Sequence, residues 1–118
     1  QGRIFEISPE GNEEWNVFTG LTSTFSIAET LDNGFIATGR IDIDSYNTNV
    51  GLYKFDNYGN EEWNQKYSEY ATYLNGSGVI VENDGGFRIS GSRNKYYFND
   101  NDKPMIIIYK TDPSGDYE

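Results

Sequence analysis

The chain has 118 residues, enough for one modest domain, and carries a formal net charge of −10. An acidic surface of this kind repels nucleic-acid backbones and anionic lipid, and its simplest role is solubility. Neither cysteine nor histidine occurs, which excludes disulfides, thiol chemistry, thiolate zinc sites and imidazole bases together.

In chain order the residues read as a series of short strands. Ten Tyr, seven Phe and two Trp supply large apolar side chains, and thirteen Gly mark turns. Arg3–Ser8 and Asn12–Phe18 are expected to form two strands around a turn at Gly11. Phe25–Leu31 alternates and ends in Asp32-Asn33-Gly34, a hairpin signal, with Phe35–Ile41 as the return strand. A polar loop leads to a strand over Leu52–Phe55, and the turn Asp56-Asn57-Tyr58-Gly59 opens another strand through Trp63. Val79–Val81, Phe87–Ser90 and Met105–Tyr109 continue the pattern. No window shows capped helical periodicity, and no apolar run is long enough for a membrane-spanning helix. Without an initiator Met or a signal peptide, the chain is expected to be a mature secreted product, a processed one or a piece of a longer protein.

One string, Gly-Asn-Glu-Glu-Trp-Asn, occurs at residues 11–16 and again at 59–64. It belongs to a longer self-similar segment. Ile4-Phe5-Glu6-Ile7 aligns with Leu52-Tyr53-Lys54-Phe55 and with Ile108-Tyr109-Lys110-Thr111, each followed by a turn at Gly11, Gly59 or Gly115. Asp32-Asn33-Gly34-Phe35 through Gly39 likewise matches Asp84-Gly85-Gly86-Phe87 through Gly91. The marker glycines 11, 59 and 115 set periods of 48 and 56 residues, a spacing expected of propeller blades. The expected fold is all-β, with four-stranded antiparallel blades and about two to two and a half repeats. A partial blade is expected over 1–18, a full one over 19–67 and a further partial one over 68–118. An open sandwich is the main alternative.

The pattern Asp-x-x-Gly-x-x-x-Trp after a strand resembles the tryptophan-docking repeats of quinoprotein-like β-propellers. Asp-Gly-Gly-Phe-x-x-x-Gly in the same register is similar to a large group of secreted bacterial propellers. The resemblance implies that Trp15 and Trp63 dock neighbouring blades, with the indole N–H finding a backbone carbonyl. Gly11, Gly59 and Gly115 would make the turns beside that docking, and Gly34, Gly86, Gly39 and Gly91 complete the structural set. An exposed Trp stacking on sugar is the rival. The quinone of some relatives is not carried over, because its ligands are not identifiable here.

A propeller needs about four to eight blades to close, so this chain is expected to be part of a larger ring or to assemble with copies of itself. In the second form, the first hairpin of one copy would complete the last blade of another. The second period is longer by eight residues, split evenly between two loops expected on one face. One holds Tyr67, Tyr70 and Tyr73, and the other holds Tyr96, Tyr97, Asp100 and Asp102. Tyr70, Tyr73, Tyr96, Tyr97, Asp100 and Asp102 form the candidate ligand face, suited to a glycan or a peptide. Solvated loops that simply vary in length are the plain alternative. Asp42-Ile43-Asp44 and Asp100-Asn101-Asp102 offer oxygen atoms to calcium, but neither forms the full twelve-residue loop. No cofactor or metal is therefore expected. Nothing singles out a catalytic pair of carboxylates, and the usual bases and nucleophiles are missing. The expectation is a non-catalytic extracellular or cell-surface scaffold or binding module. Its partners would be a protein, a glycan or copies of itself, not nucleic acid or a membrane. A self-assembling structural subunit and a lectin-like module are the alternatives.

Overall fold

A computed structural model describes residues 2–45, 47–68, 72–95 and 105–117. The described residues are all-β. The strands are β1 (Arg3–Ile7), β2 (Glu13–Phe18), β3 (Ser23–Glu29), β4 (Phe35–Asp42), β5 (Thr48–Phe55), β6 (Glu61–Tyr67), β7 (Thr72–Val81), β8 (Phe87–Lys95) and β9 (Met105–Thr111). β1 and β2 form an antiparallel hairpin. β3, β4, β5 and β6 pair in sequence order as an antiparallel meander. β7, β8 and β9 form a second meander, and its next segment begins with a bridge between Thr111 and Tyr117. A single parallel bridge, Thr48 to Tyr73, links the two meanders at an edge.

Turn chemistry fixes these boundaries. The Asp56 carboxylate accepts the backbone N–H of Tyr58 at 2.8 Å and of Asn60 at 2.9 Å. Asp112 does the same for Ser114 at 2.8 Å and Asp116 at 3.0 Å. Ser8 supplies the weaker hydroxyl version to Asn12 at 3.1 Å. In the β3–β4 turn Asn33 takes a left-handed φ of 68°, and Gly85 takes φ 86° at the matching place in the β7–β8 turn. Asn and Gly are the residues that tolerate this region at least cost.

The core lies between the sheets. β4 and β5 are buried on both faces, so they read as nearly continuous apolar runs rather than alternating ones. On one face Ile36, Val50 and Leu52 pack with Leu74, Val79, Phe87 and Ile89 of β7 and β8. On the other face Ala37, Tyr53 and Phe55 pack with Ile4 of β1 and with Leu21. The period-two alternation of strand side chains thus separates two cores on either side of one meander.

Two expectations need correction. Tyr67, read as a loop residue, is the last residue of β6 and is buried. Tyr73, also read as a loop residue, lies within β7. That strand starts seven residues before the expected Val79 and runs for ten residues, against seven in β3. Part of the extra length in the second period therefore lengthens a hairpin instead of a loop.

Candidate functional site

Two tryptophans sit at matching joints. The Trp15 ring lies 5.7 Å from Phe35, tilted by 55°, and the Trp63 ring lies 6.0 Å from Phe87, tilted by 52°. Each also covers the turn glycine of the next sheet. A Cβ placed on Gly59 would fall 2.5 Å from Cε3 of Trp15, and one on Gly115 would fall 2.7 Å from Cζ3 of Trp63. Both glycines adopt positive φ, 86° and 85°, so they satisfy the turn and the ring together. Tyr67 reinforces the second joint: its hydroxyl donates to the Gly115 carbonyl at 2.6 Å. Its ring stacks on Tyr109 at 5.3 Å and meets Tyr117 at 5.0 Å. Burial pushes the Tyr67 hydroxyl well above its ordinary pKa and Tyr117 up to about 12. One detail differs from expectation: the Trp15 indole N–H is buried with no hydrogen-bond partner among the described residues.

The other glycines of the set do different work. Gly34 and Gly86 admit the carbonyls of Phe55 and Thr111, and Gly39 and Gly91 admit those of Ser23 and Asn75. All four are close approaches within a single meander. Gly11 shares the positive φ, at 89°, yet a Cβ there would meet nothing within 4 Å.

A buried cation lies at the turn end of the second joint. Lys54 Nζ donates to the Phe55 carbonyl at 3.0 Å and to Glu62 at 2.8 Å, and it pairs with Asp32 at 3.1 Å. The Thr30 hydroxyl, ahead of Lys54 and the Gly34 N–H, holds the Asp32 carboxyl down to about 2. Sequence reasoning missed Lys54. Its position inside the apolar run Val-Gly-Leu-Tyr-Lys-Phe was the available signal.

The candidate ligand face is only partly visible. Tyr70, Tyr96, Tyr97, Asp100 and Asp102 lie outside the described residues. Tyr73 joins Arg40, Asp42, Asp44, Thr48 and Asn75 around a cleft of about 400 Å³. Its hydroxyl donates to the Ser45 carbonyl at 2.5 Å, which ties the start of β7 to the β4–β5 loop. Arg40 pairs with Asp42 at 2.8 Å, and Asn47 donates to Asp44 at 3.0 Å. Asp42 and Asp44 are thus engaged by a guanidinium and an amide, an arrangement unlike a cage of cation-directed oxygens. Guanidinium, carboxylate, amide and phenol groups around one cleft suit a ligand rich in hydroxyls. Arg40, Thr48 and Asn75 carried no signal in the sequence, because the cleft gathers them from separate strands.

No protein-family model matches this chain, and no curated protein is similar to it in sequence.

Proposed function

We propose that the chain is a non-catalytic scaffold of the β-propeller type, acting outside the cell or at its surface as part of a larger ring. Its meanders act as blades. The observation that carries this reading is the recurrence of one joint: Trp15 on Phe35 and Gly59, then Trp63 on Phe87 and Gly115. A flat ring seated on a glycine turn and against a Phe excludes water over a large area and fixes the register of two sheets. Urea unfolding followed by near-ultraviolet circular dichroism tests it. Trp15→Ala and Trp63→Ala should each lose stability and the aromatic signal of the packed sheets. Wild-type stability in both variants would sink the reading.

A second reading concerns what the scaffold binds. The cleft between the β4–β5 loop and β7 supports a glycan partner, with the Tyr73 ring as one wall and Arg40, Asp42 and Asn75 as polar contacts. A glycan array comparing wild type with Tyr73→Ala and Asn75→Ala checks this. Glycan capture that survives both changes would place binding elsewhere.

A further inference from the structure

The two ends of the sheet stack expose the two halves of one kind of joint. Within the chain, Val50 and Leu52 of β5 are fully buried beneath β7–β9. In the sequence alignment their places in the last sheet are held by Ile106 and Ile108, which are 83% and 65% exposed. Ile80 of β7 extends this apolar face, which contains a hollow of about 230 Å³ lined by Val79, Ile80, Arg88 and Ile108. At the other end, Phe5 and Ile7 hold the places of Tyr53 and Phe55. Tyr53 and Phe55 are buried against the β1–β2 hairpin, whereas Phe5 and Ile7 are 56% and 50% exposed. One end therefore carries the covered side of the joint, and the other carries the part of the covering side that β9 supplies, without counterparts of β7 and β8.

We propose that the chain associates head to tail with a second copy of itself, the Ile106–Ile108 face of one copy seating Phe5 and Ile7 of the next. This rests on the reading that the joint between sheets recurs. Charge agrees with this pairing. Arg88, which already pairs with Glu82 at 2.9 Å, and Lys110 are opposite each other in the β8–β9 register, both exposed on this face. Lys54, the counterpart of Lys110, lines a hollow with Pro113. Pro9 holds the place of Pro113, so the docked copy brings the Pro9-Glu10 turn to this basic pair. The contact is face to face and not strand completion. Ile4 and Ile108 hold the same position in the alignment, so β1 added at the open edge of β9 would duplicate a strand that the last sheet already has. The joint is heterologous, so it runs on, closing into a ring if the rotation per copy closes and extending as a filament if it does not. The second copy brings a Gly11 turn but no tryptophan from the described part of the last sheet, which makes this joint weaker than the internal ones.

Sedimentation velocity on the full chain, from about 10 µM to about 1 mM, tests this. The −10 charge opposes association, so mass should rise further in about 0.5 M NaCl than at low salt. Phe5→Asp and Ile108→Asp alter exposed positions, and each should keep the wild-type unfolding midpoint while sedimenting as a monomer. Mixed in equal amounts they retain one intact face each, so they should form a heterodimer and nothing larger. The proposal is overturned by a wild type that stays monomeric throughout, by either variant alone still associating, or by a mixture that does not pair. None of these readouts depends on Trp63→Ala stability, so this proposal and the scaffold reading can fail separately.

Discussion

The ring of Trp63 lies over Gly115, which is 52 residues further along the chain and belongs to the turn after β9. Trp15 and Gly59 repeat the relationship one sheet earlier. In each pair the glycine meets two demands at once. It takes a backbone angle that L side chains resist, and it leaves the space that the indole fills.

Gly11 allows these demands to be separated. Gly11→Ala should cost about 1 kcal/mol for the positive φ alone. Gly59→Ala and Gly115→Ala carry the same backbone penalty and also drive a methyl group into a tryptophan, an overpacking cost of about 1–3 kcal/mol more. Urea midpoints for the three variants measure the difference. Equal losses at all three positions would mean that the ring contacts contribute nothing.

Trp63→Ala should destabilise near the low end of the ~3–5 kcal/mol typical of a lost aromatic, because the ring is only half-buried. Trp63→Phe keeps part of the contact with Phe87 and should recover a measurable share. If Trp63→Ala unfolds at the wild-type midpoint, the ring is not part of the packed joint.

Much of this architecture is written in the turns. Asp-x-x-Gly and Asp-x-Gly place carboxylates where the backbone N–H groups of a turn need them, so strand order and the hairpins follow from the sequence. The early start of β7 was hidden by its glycines, since Asn75-Gly76-Ser77-Gly78 looks like a loop. In the structure Gly76 and Gly78 flank a β-bulge, and a Cβ at Gly76 would fall 2.3 Å from Thr38 Oγ1 of the neighbouring sheet. Gly76 permits close approach between sheets and Gly78 close approach to Ser90 of β8, which local composition does not distinguish from turn flexibility. The extension of β5 back to Thr48 has a similar cause. The Thr48 hydroxyl donates to the Leu74 carbonyl and accepts the Leu74 N–H, each at 2.8 Å. The cleft at Tyr73 depends on such long-range contacts and was legible only in Tyr73, Asp42 and Asp44.

Tyr67→Phe removes the hydroxyl that donates to Gly115 and leaves that carbonyl unpaired. The expected loss is about 1 kcal/mol at neutral pH. The alkaline limb also changes. Burial raises the folded pKa of this phenol above its ordinary value of 10.0, so keeping it neutral contributes stability fully below pH 10. That contribution is lost as the pH rises further. Tyr67→Phe should therefore show a shallower loss of stability above pH 10 than wild type, read from urea midpoints across the alkaline range.

Asp32 sets the acid limb. Its folded pKa of about 2 lies below the ordinary 3.8, with the Thr30 hydroxyl as the main cause and Lys54 assisting. A carboxyl with a depressed folded pKa contributes stability above its unfolded pKa, and that stability is lost as the pH falls through the folded value. The loss should thus begin near pH 4 and continue towards pH 2. The side chain is 61% exposed, so solvent screens the Lys54 pair and the effect is modest. Asp56, whose carboxyl is also held low by Asn60, adds to the same limb. Asp32→Asn removes one contribution and retains an acceptor oxygen for the turn. It should be less stable than wild type at pH 6 and approach it near pH 2, as followed by urea midpoints at each pH. A constant difference between the two proteins from pH 6 to pH 2 would show that the Asp32 charge contributes nothing, and that its role in the turn is carried by oxygen geometry alone.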